Sequence, residues 1–253
     1  MIDDTNTSPE WQVHTGDVCV LPVGALEQHA AHLPLATDTI LAEAYGRMIA
    51  EELDAALLPA LPFASSLEHT GFRGSVSLRP ETLMQIVRDI ADEVERQNFC
   101  FLIIANGHGG NFALQPVARD INRMDRPLKI LLVNGWEFCD SDAVKGGGKR
   151  GMEIHAGESE TSLMLAIRPD LVRPGAKDTP PVAEEPLPLR RQDLTTFGVG
   201  HFSAHGVIGR PSRADKGKGD ALLAAMRRAM VDIVRDRIER LRRQPRYAGP
   251  GPA

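Results

Sequence analysis

The segment LPVGALEQHAAHLPLATD, residues 21–38, combines the end of an apolar run with a cluster of polar side chains, and the rest of the chain is organised around it. It continues an apolar, β-branched run that starts at Val18, which is typical of a buried strand. After Gly24 it carries four side chains of the kinds that bind divalent metals: Glu27, His29, His32 and Asp38. The segment therefore predicts a buried strand that ends at a metal site.

The rest of the chain repeats this order of strand and helix. Further strands are predicted at residues 57–61, 100–105 and 129–133, and helices over residues 39–53, 80–94, 112–121, 155–167 and 220–241. The first helix is expected to be capped by Thr37 or Asp38. Buried strands separated by helices favour a mostly parallel sheet with helices on both faces.

The chain is predicted to form one domain. No linker divides it into halves with separate cores, so the domain is expected to cover residues 1–253. Residues 1–16 are expected to be a polar lead-in and residues 245–253 a frayed tail.

The composition excludes several classes of protein. Acidic and basic residues are interspersed along 253 residues with a net charge of -5, which does not suit binding to nucleic acid or to an anionic membrane surface. The apolar runs are shorter than the ~20 residues of a membrane span, and the polar N-terminus is unlike a secretory signal. We expect Cys19 and Cys100 to be reduced core residues. These features predict a cytoplasmic protein whose partner is a small molecule.

Two further polar clusters come directly after predicted strands. The sequence NGHGGN, residues 106–111, follows one strand, and Trp136 follows the next. In open α/β sheets ligands bind beyond the carboxyl ends of the strands, so His108 is expected near residues 27–38. A Gly-rich turn with a structural histidine is one alternative. A phosphate-binding loop is another, although the segment lacks the lysine of a P-loop.

Other candidates lie later in the chain and in its irregular segments. His155 can carry a proton, because histidine titrates near pH ~6.5. The carboxylates of Glu158 and Glu160 either belong to the site or interact favourably with the N-terminus of a helix. His69 and His205 lie in irregular segments, where they either line the pocket or pack in a loop.

Three of these segments resemble, in order, the signature segments of the creatininase family of metal-dependent amidohydrolases: LPVGALEQHAAHLPLATDT, NGHGGN and HAGESETSLMLAIRPDLV. The stretches SLEHTGFRGSVSL and HGVIGRPSRADKGKG are similar to that family as well, so the resemblance covers residues 18–240. It implies a three-layer α/β/α sandwich with a mostly parallel central sheet. It also implies a homohexamer and two divalent metal ions, zinc with manganese or iron.

The resemblance implies roles for individual residues. By position, Glu27, Asp38 and His108 would hold one metal, while His29 and the same Asp38 would hold the other. His155 matches a histidine that shuttles protons near the scissile bond. The implied reaction is hydrolysis of an amide by a metal-bound water.

One departure from the family pattern concerns the metals. In creatininase the NGH motif is followed by a tyrosine and by a glutamate that is a ligand of the second metal, whereas Gly109 and Gly110 stand here. The second metal therefore needs another carboxylate. We expect Glu160 to supply it, with Glu158 as the alternative.

Another departure concerns the substrate pocket. Trp136 matches an aromatic residue near the creatinine pocket, but a second tryptophan is replaced near Met152. Together with the lost tyrosine, this replacement favours a substrate other than creatinine. We predict that four residues contact the substrate: Trp136, Gly109, Glu158 and His69.

The functional prediction is a metal-dependent amidohydrolase that acts on a small cyclic amide, a formamide or a peptide-like C–N bond. Members of the family hydrolyse creatinine, deformylate a pyrimidine biosynthetic intermediate, or trim a peptide during redox-cofactor maturation. A non-catalytic metabolite-binding protein on the same fold is one alternative. A metal-dependent isomerase or lyase of a sugar phosphate is another, in which NGHGGN would hold the anion.

Overall fold

A parallel sheet forms the centre of the computed structural model, which describes residues 1–139, 153–178 and 191–243. Its strands are β1 (Val18–Val23), β2 (Ala56–Leu57), β3 (Phe101–Asn106) and β4 (Lys129–Asn134), in the spatial order β2-β1-β3-β4. β1 pairs with β3 along its whole length, and β3 pairs in the same way with β4. The carboxyl ends of these three strands therefore lie at one edge of the sheet.

Several sequence predictions lie outside the described residues. They are the frayed tail at 245–253, Met152, a polar loop expected at 140–151 and the larger part of a proline-rich arm expected at 174–188.

Helices cover both faces of the sheet. They are α1 (Ser8–Val13), α2 (Thr37–Leu53), α3 (Pro80–Arg96), α4 (Leu114–Arg123), α5 (Glu158–Ile167), α6 (Arg191–Phe197) and α7 (Lys216–Arg243). In the part of the chain that the structure describes, no helix is both long enough and apolar enough to cross a membrane.

Alternate residues of the strands point into two hydrophobic cores, one on each face of the sheet. In β1, Val18 and Val20 pack into the core that α2, α5 and α7 cover. Cys19, Leu21 and Val23 pack into the core that α3 and α4 cover. Both faces of the strand are buried, which is why its sequence is continuously apolar. The predicted α/β/α sandwich with a mostly parallel sheet is confirmed.

β2 is shorter than the strand predicted at residues 57–61. It contains Ala56 and Leu57, and the chain rejoins the sheet as an isolated bridge between Leu61 and Val23. Pro59 lies between these contacts, and proline has no amide hydrogen to donate to the ladder. The predicted extent of this strand was therefore wrong.

Four predicted helix starts also differ from the structure, including that of α5, which begins at Glu158 rather than at residue 155. α2 begins at Thr37 after Ala36, so the capping role expected for Thr37 or Asp38 was wrong, and Asp38 lies in the first helical turn instead. A turn closed by the bond from Leu114 N to Asn111 O precedes α4, which leaves Phe112 outside the helix and 54% exposed. α7 begins at Lys216, before the predicted start at residue 220.

The N-terminal lead-in packs on the body of the protein. Ile2 forms a parallel bridge with Ala56, and Trp11 in α1 packs against the core beneath β1. The indole Nε1 of Trp11 donates a hydrogen bond to the backbone oxygen of Asp3 at 3.0 Å. The polar composition of residues 1–16 did not predict this order.

Candidate metal centre

The loops that follow β1 and β3 meet at the start of α2. Gly107 N donates a hydrogen bond to Val23 O at 2.9 Å, which holds the NGHGGN loop against the end of β1. A Cβ at Gly107 would overlap the backbone oxygen of Asp38, so only glycine lets this loop approach α2 so closely. This approach places His108 beside Asp38.

Glu27 lies at the centre of the resulting cluster and is completely buried. Its Oε2 atom is 3.0 Å from His108 Nε2. Its Oε1 atom is 3.0 Å from His69 Nε2 and 3.7 Å from His155 Nδ1. A buried carboxylate is costly unless positive charge balances it, so Glu27 requires protonated histidines or a cation beside it.

Asp38 connects two halves of the cluster. Its Oδ2 atom is 3.1 Å from His108 Nδ1, and its Oδ1 atom is 3.4 Å from His29 Nε2. Because Asp38 lies in the first turn of α2, the helix dipole favours its negative charge. A carboxylate whose two oxygens face different histidines suits a bridge between two cations.

Buried polar atoms of the cluster have no hydrogen-bond partner, although they lie close together. They are both carboxylate oxygens of Glu27, Oδ2 of Asp38, Nε2 of His29 and Nε2 of His108. Nearly all buried polar atoms in proteins are satisfied. Carboxylate oxygens and imidazole nitrogens that face one another without hydrogen bonds fit the coordination of a divalent cation.

Among the described residues, two sets of three side chains could each hold an ion. The first set is Glu27, Glu68 and His108, and the second is His29, Asp38 and Glu160. Within each set, the ligand atoms lie within 4.8 Å of one another. A third set of Glu27, His29 and His155 shares members with both.

Neighbouring carboxylates raise the pKa of two histidines in the cluster, His29 and His108, so both histidines hold protons when no metal is bound. Burial on its own would lower the pKa of His29, but Asp38, Glu160 and Glu27 together outweigh burial and raise the pKa to about 9. Burial is likewise outweighed at His108, where Glu27 and Asp38 hold the pKa well above its ordinary value. Divalent metals bind histidine only after the proton leaves, so binding here is coupled to proton release.

A network around Gln28 fixes the orientation of His155. The two amide protons of Gln28 are directed to His69 Nδ1 at 3.0 Å and to Gly206 O at 3.2 Å. His155 Nε2 lies 2.8 Å from the backbone oxygen of Gln28, so a neutral His155 donates its proton there. The other nitrogen, Nδ1, is then an unprotonated acceptor that faces Glu27.

His155 is also held in its neutral form. Burial, together with the positive charge of His29, keeps the pKa of His155 well below its ordinary value. A neutral imidazole with a free nitrogen directed at the cluster can accept a proton from a reacting group. The hydrogen bonding and the lowered pKa both indicate that Nδ1 of His155 is a proton acceptor.

Sequence analysis missed one carboxylate of the cluster, that of Glu68. It lies in a 3-10 turn (Leu67–His69), is buried, and its Oε1 atom is 3.2 Å from His108 Nε2. A Cβ at Gly110 would overlap this Oε1 atom. In the sequence, Glu68 could have been found as an acidic residue directly before His69, which was itself a candidate for the site.

The structure brings most of the predicted site residues together. The five predicted metal ligands, Glu27, His29, Asp38, His108 and Glu160, all belong to the two ligand sets, and their role as ligands stays a prediction. His155, His69 and Gly109 line one pocket with His108 and Glu160.

Two predicted substrate-binding residues lie elsewhere. The carboxylate of Glu158 forms an ion pair with Lys218 Nζ at 2.6 Å, and Glu158 belongs to none of the ligand sets among the described residues. Trp136 lies in the 3-10 turn that follows β4 (Gly135–Phe138). Neither is among the described residues that line the pocket. Glu158 is therefore not placed to supply the carboxylate missing at position 110.

Two other histidines have structural contacts. His32 is buried, and its Nε2 atom lies 3.1 Å from Thr161 Oγ1 on α5. His205 Nδ1 accepts a hydrogen bond from Val207 N and lies near Ser203 Oγ. Both contacts stabilise loops around the cluster, and His205 is not among the described residues that line the pocket.

The fold and the site together define a metal-binding α/β/α sandwich with its centre at the carboxyl edge of a parallel sheet. Comparison with known proteins agrees, because the sequence model described as "Creatininase: Creatinine amidohydrolase" matches residues 5–234. The chain therefore belongs to the creatininase family. Membership of this family supports the prediction that the protein is a metal-dependent amidohydrolase.

Individual relatives and a solved structure extend this result. The mycofactocin precursor peptide peptidase of Mycobacterium ulcerans (strain Agy99) is 33% identical over 249 residues, covering 92% of this chain and 86% of the relative. The creatinine amidohydrolase of Pseudomonas putida is 31% identical over 245 residues, covering 90% of this chain and 92% of the relative. A solved structure described as "Creatininase Mn" is 29% identical with a TM-score of 0.79, covering 93% of this chain and 98% of that chain.

Proposed function

We propose that this protein hydrolyses a peptide-like C–N bond at a centre of two divalent metal ions. The observation that carries the proposal is the pair of buried ligand sets, Glu27–Glu68–His108 and His29–Asp38–Glu160, whose facing atoms include several without hydrogen-bond partners. Imidazole and carboxylate ligands suit zinc, manganese and iron. When bound, two such ions polarise an amide carbonyl and lower the pKa of water.

The chain's own residues supply the remaining parts of the reaction. Asp38 holds the two ligand sets in a fixed relation through its two oxygens. His155 accepts a proton at Nδ1, and Gln28 keeps the imidazole in the orientation that makes this possible. After C–N cleavage the same proton can be given to the leaving nitrogen.

The wall of the pocket favours a peptide-like substrate over creatinine. Three aliphatic side chains close the pocket over the cluster: Ile154, Leu194 and Val199. They belong to a small apolar cluster with Ile208, Phe72 and Phe202. An aliphatic wall suits the side chain of a peptide, and the M. ulcerans relative is described as a peptidase of a precursor peptide.

Self-association is part of the proposal, as a homo-oligomer and by family resemblance a hexamer. Apolar side chains are exposed on the two segments that carry Glu68 and His108: Phe63, Leu67, Val76 and Phe112, each at 46% exposure or more. A contact between subunits would bury such side chains. Light scattering coupled to size exclusion tests this part, and a monomer would contradict it.

The test of the function is a substrate screen on the metal-reconstituted protein. Short peptides, formamido-pyrimidines and creatinine are incubated with it, and the products are identified by mass spectrometry, with chelator-treated protein as the control. The products of hydrolysis are two shorter fragments from a peptide, formate and an amine from a formamide, and ring-opened creatine from creatinine. We expect metal-dependent cleavage of peptides. Hydrolysis of creatinine alone would contradict the proposed substrate. Metal-loaded protein that binds amides but hydrolyses none of them would contradict hydrolysis and indicate a binding protein.

A further inference from the structure

We propose that Glu68 is a metal ligand and that glycine at position 110 is what admits its carboxylate to the centre. The inference rests on the two-metal function proposed above and names the third ligand of one of its ions.

The first observation is the position of Glu68 relative to His108. His108 Nε2 faces two carboxylates, with Glu27 Oε2 at 3.0 Å and Glu68 Oε1 at 3.2 Å. Nε2 of His108 and both oxygens of Glu27 are buried and lack hydrogen-bond partners. Three donor atoms on three side chains thus face one small volume, which is the arrangement that a cation requires.

The second observation is that Glu68 and a side chain at position 110 exclude each other. A Cβ at Gly110 would overlap Oε1 of Glu68 and would also crowd Nε2 of His108. The backbone of Gly110 is outside the left-handed region, so conformation does not explain this glycine. The glycine is explained by lack of space, because the carboxylate of Glu68 occupies the volume that a side chain at position 110 would need.

The third observation is the inverted burial of the turn that carries Glu68. Glu68 and His69 are buried, whereas the apolar Leu67 is 47% exposed. A turn that buries its polar residues and exposes its leucine does not contribute its apolar side chain to the core of its own chain. Ser65 N donates a hydrogen bond to Asn111 Oδ1 at 3.1 Å, which ties this segment to the NGHGGN loop.

These observations add to the set of Glu27 and His108 a carboxylate that the sequence did not predict. The carboxylate that creatininase carries two residues after the NGH histidine is absent at Gly110. The structure places Glu68, from a separate segment, in the space next to the same histidine. Glu160 joins the other ligand set, with His29 and Asp38.

An alternative role for Glu68 is to orient His108 through an ion pair without touching a metal. The two roles differ in magnitude, because losing a group behind a metal ligand lowers metal affinity by ~10–100-fold. Losing one of three protein ligands lowers it further and releases the ion on dialysis.

The test is the zinc content and zinc affinity of wild type, Glu68→Gln and Gly110→Ala. Each protein is reconstituted with Zn²⁺, dialysed, analysed for bound metal and titrated against a chromophoric chelator. Gly200→Ala is the matched control, because a Cβ there would meet Phe72 at an ordinary 3.4 Å. Circular dichroism verifies that each variant is folded, and Gly110→Ala carries the test if Glu68→Gln does not fold.

We expect two ions per chain in wild type and in Gly200→Ala, and one in Glu68→Gln and in Gly110→Ala. The affinity for the lost ion should fall by more than ~100-fold. A smaller fall, with two ions retained in both variants, would overturn the assignment of Glu68 while leaving the two-metal function intact. Wild type without bound zinc would instead contradict the proposed function itself.

Discussion

Asp38 Oδ2 lies 3.1 Å from His108 Nδ1, and the other oxygen of the same carboxylate lies toward His29. The Asp38 side chain therefore contacts both halves of the centre, whereas each histidine contacts it from one side. In the proposed two-metal centre, we therefore expect both ions to depend on Asp38.

Replacing Asp38 is expected to remove both metal ions together. Asp38→Ala should leave less than one ion per chain and abolish hydrolysis, because His29 and Glu160 lose the third member of their set and His108 loses the carboxylate that contacts its Nδ1 atom. Elemental analysis after dialysis measures the number of metal ions bound per chain. Full occupancy of both sites in this variant would rule out the bridging role.

Replacing His29 is expected to remove one ion and leave the other. His29 belongs to the set with Asp38 and Glu160, and the set with Glu27 and His108 should survive. His14→Ala is the matched control, because His14 packs on Phe99 near the amino ends of the strands. Metal loss in the control equal to that in His29→Ala would show that the assay reports stability rather than ligation.

His155→Gln is expected to keep both ions and lose most turnover. Removing a positioned proton acceptor commonly lowers kcat by ~10²–10⁴-fold. The readouts are kcat and metal content measured on the same sample. Unchanged turnover would exclude His155 from proton transfer, and loss of an ion would instead make it a ligand of the set it shares with Glu27 and His29.

The stability of the metal-free protein should depend on pH through His29. Its pKa of about 9 in the folded protein, against 6.5 ordinarily, means that the protonated form is stabilised by folding. This contribution is fully present below pH 6.5 and is lost as pH rises through 9. The metal-free Tm should therefore fall over this interval, most clearly in low salt.

Metal should reverse that trend, because it replaces the proton between Asp38 and His29. The rise in Tm on adding Zn²⁺ should be larger at pH 9 than at pH 6.5. The pH dependence of the metal-free Tm should be weaker in His29→Gln. A rise in Tm that is equal or larger at the lower pH would contradict proton–metal competition.

Asn111 should be important for both stability and metal binding. Its side chain accepts a hydrogen bond from Ser65 N and donates to Gly24 O and Asn106 Oδ1, so it joins three segments of the centre. Asn111→Ala should lower the free energy of unfolding by about 3 kcal/mol, as expected for three buried hydrogen bonds. Urea unfolding of the metal-free protein measures this.

The control for Asn111 is Asn122, which makes a comparable pair of hydrogen bonds with Ile130 away from the centre. Asn122→Ala should lower stability without changing zinc affinity, whereas Asn111→Ala should weaken zinc binding as well. Equal zinc affinities in the two variants would show that Asn111 does not position the ligands.

The sequence predicted those parts of the fold that local patterns determine. β1 was predicted at its observed bounds, because a continuous apolar run between polar residues has one interpretation in a parallel sheet. The start of α3 was predicted from Pro80, which occupies the first turn of the observed helix. β2 was predicted too long because pairing there depends on neighbouring strands as well as on composition.

The candidate site was predictable where ligands share one segment and unpredictable where they do not. Glu27, His29 and Asp38 are close in sequence, so one loop brings them together. Glu68 reaches the centre only because its segment folds against Gly110, a contact between distant parts of the chain. Likewise, the ion pair of Glu158 with Lys218, 60 residues further on, could not be read from the spacing of the acidic residues.

The most direct test of the two-metal centre is anomalous X-ray diffraction from crystals of the zinc-reconstituted protein, recorded at the zinc absorption edge. We expect two anomalous peaks per chain, each ~2.0–2.2 Å from its carboxylate and imidazole ligands. One peak should lie beside Glu27 and His108, the other beside His29 and Glu160, with Asp38 reaching both. A single peak, or none at these residues, would contradict the two-metal centre.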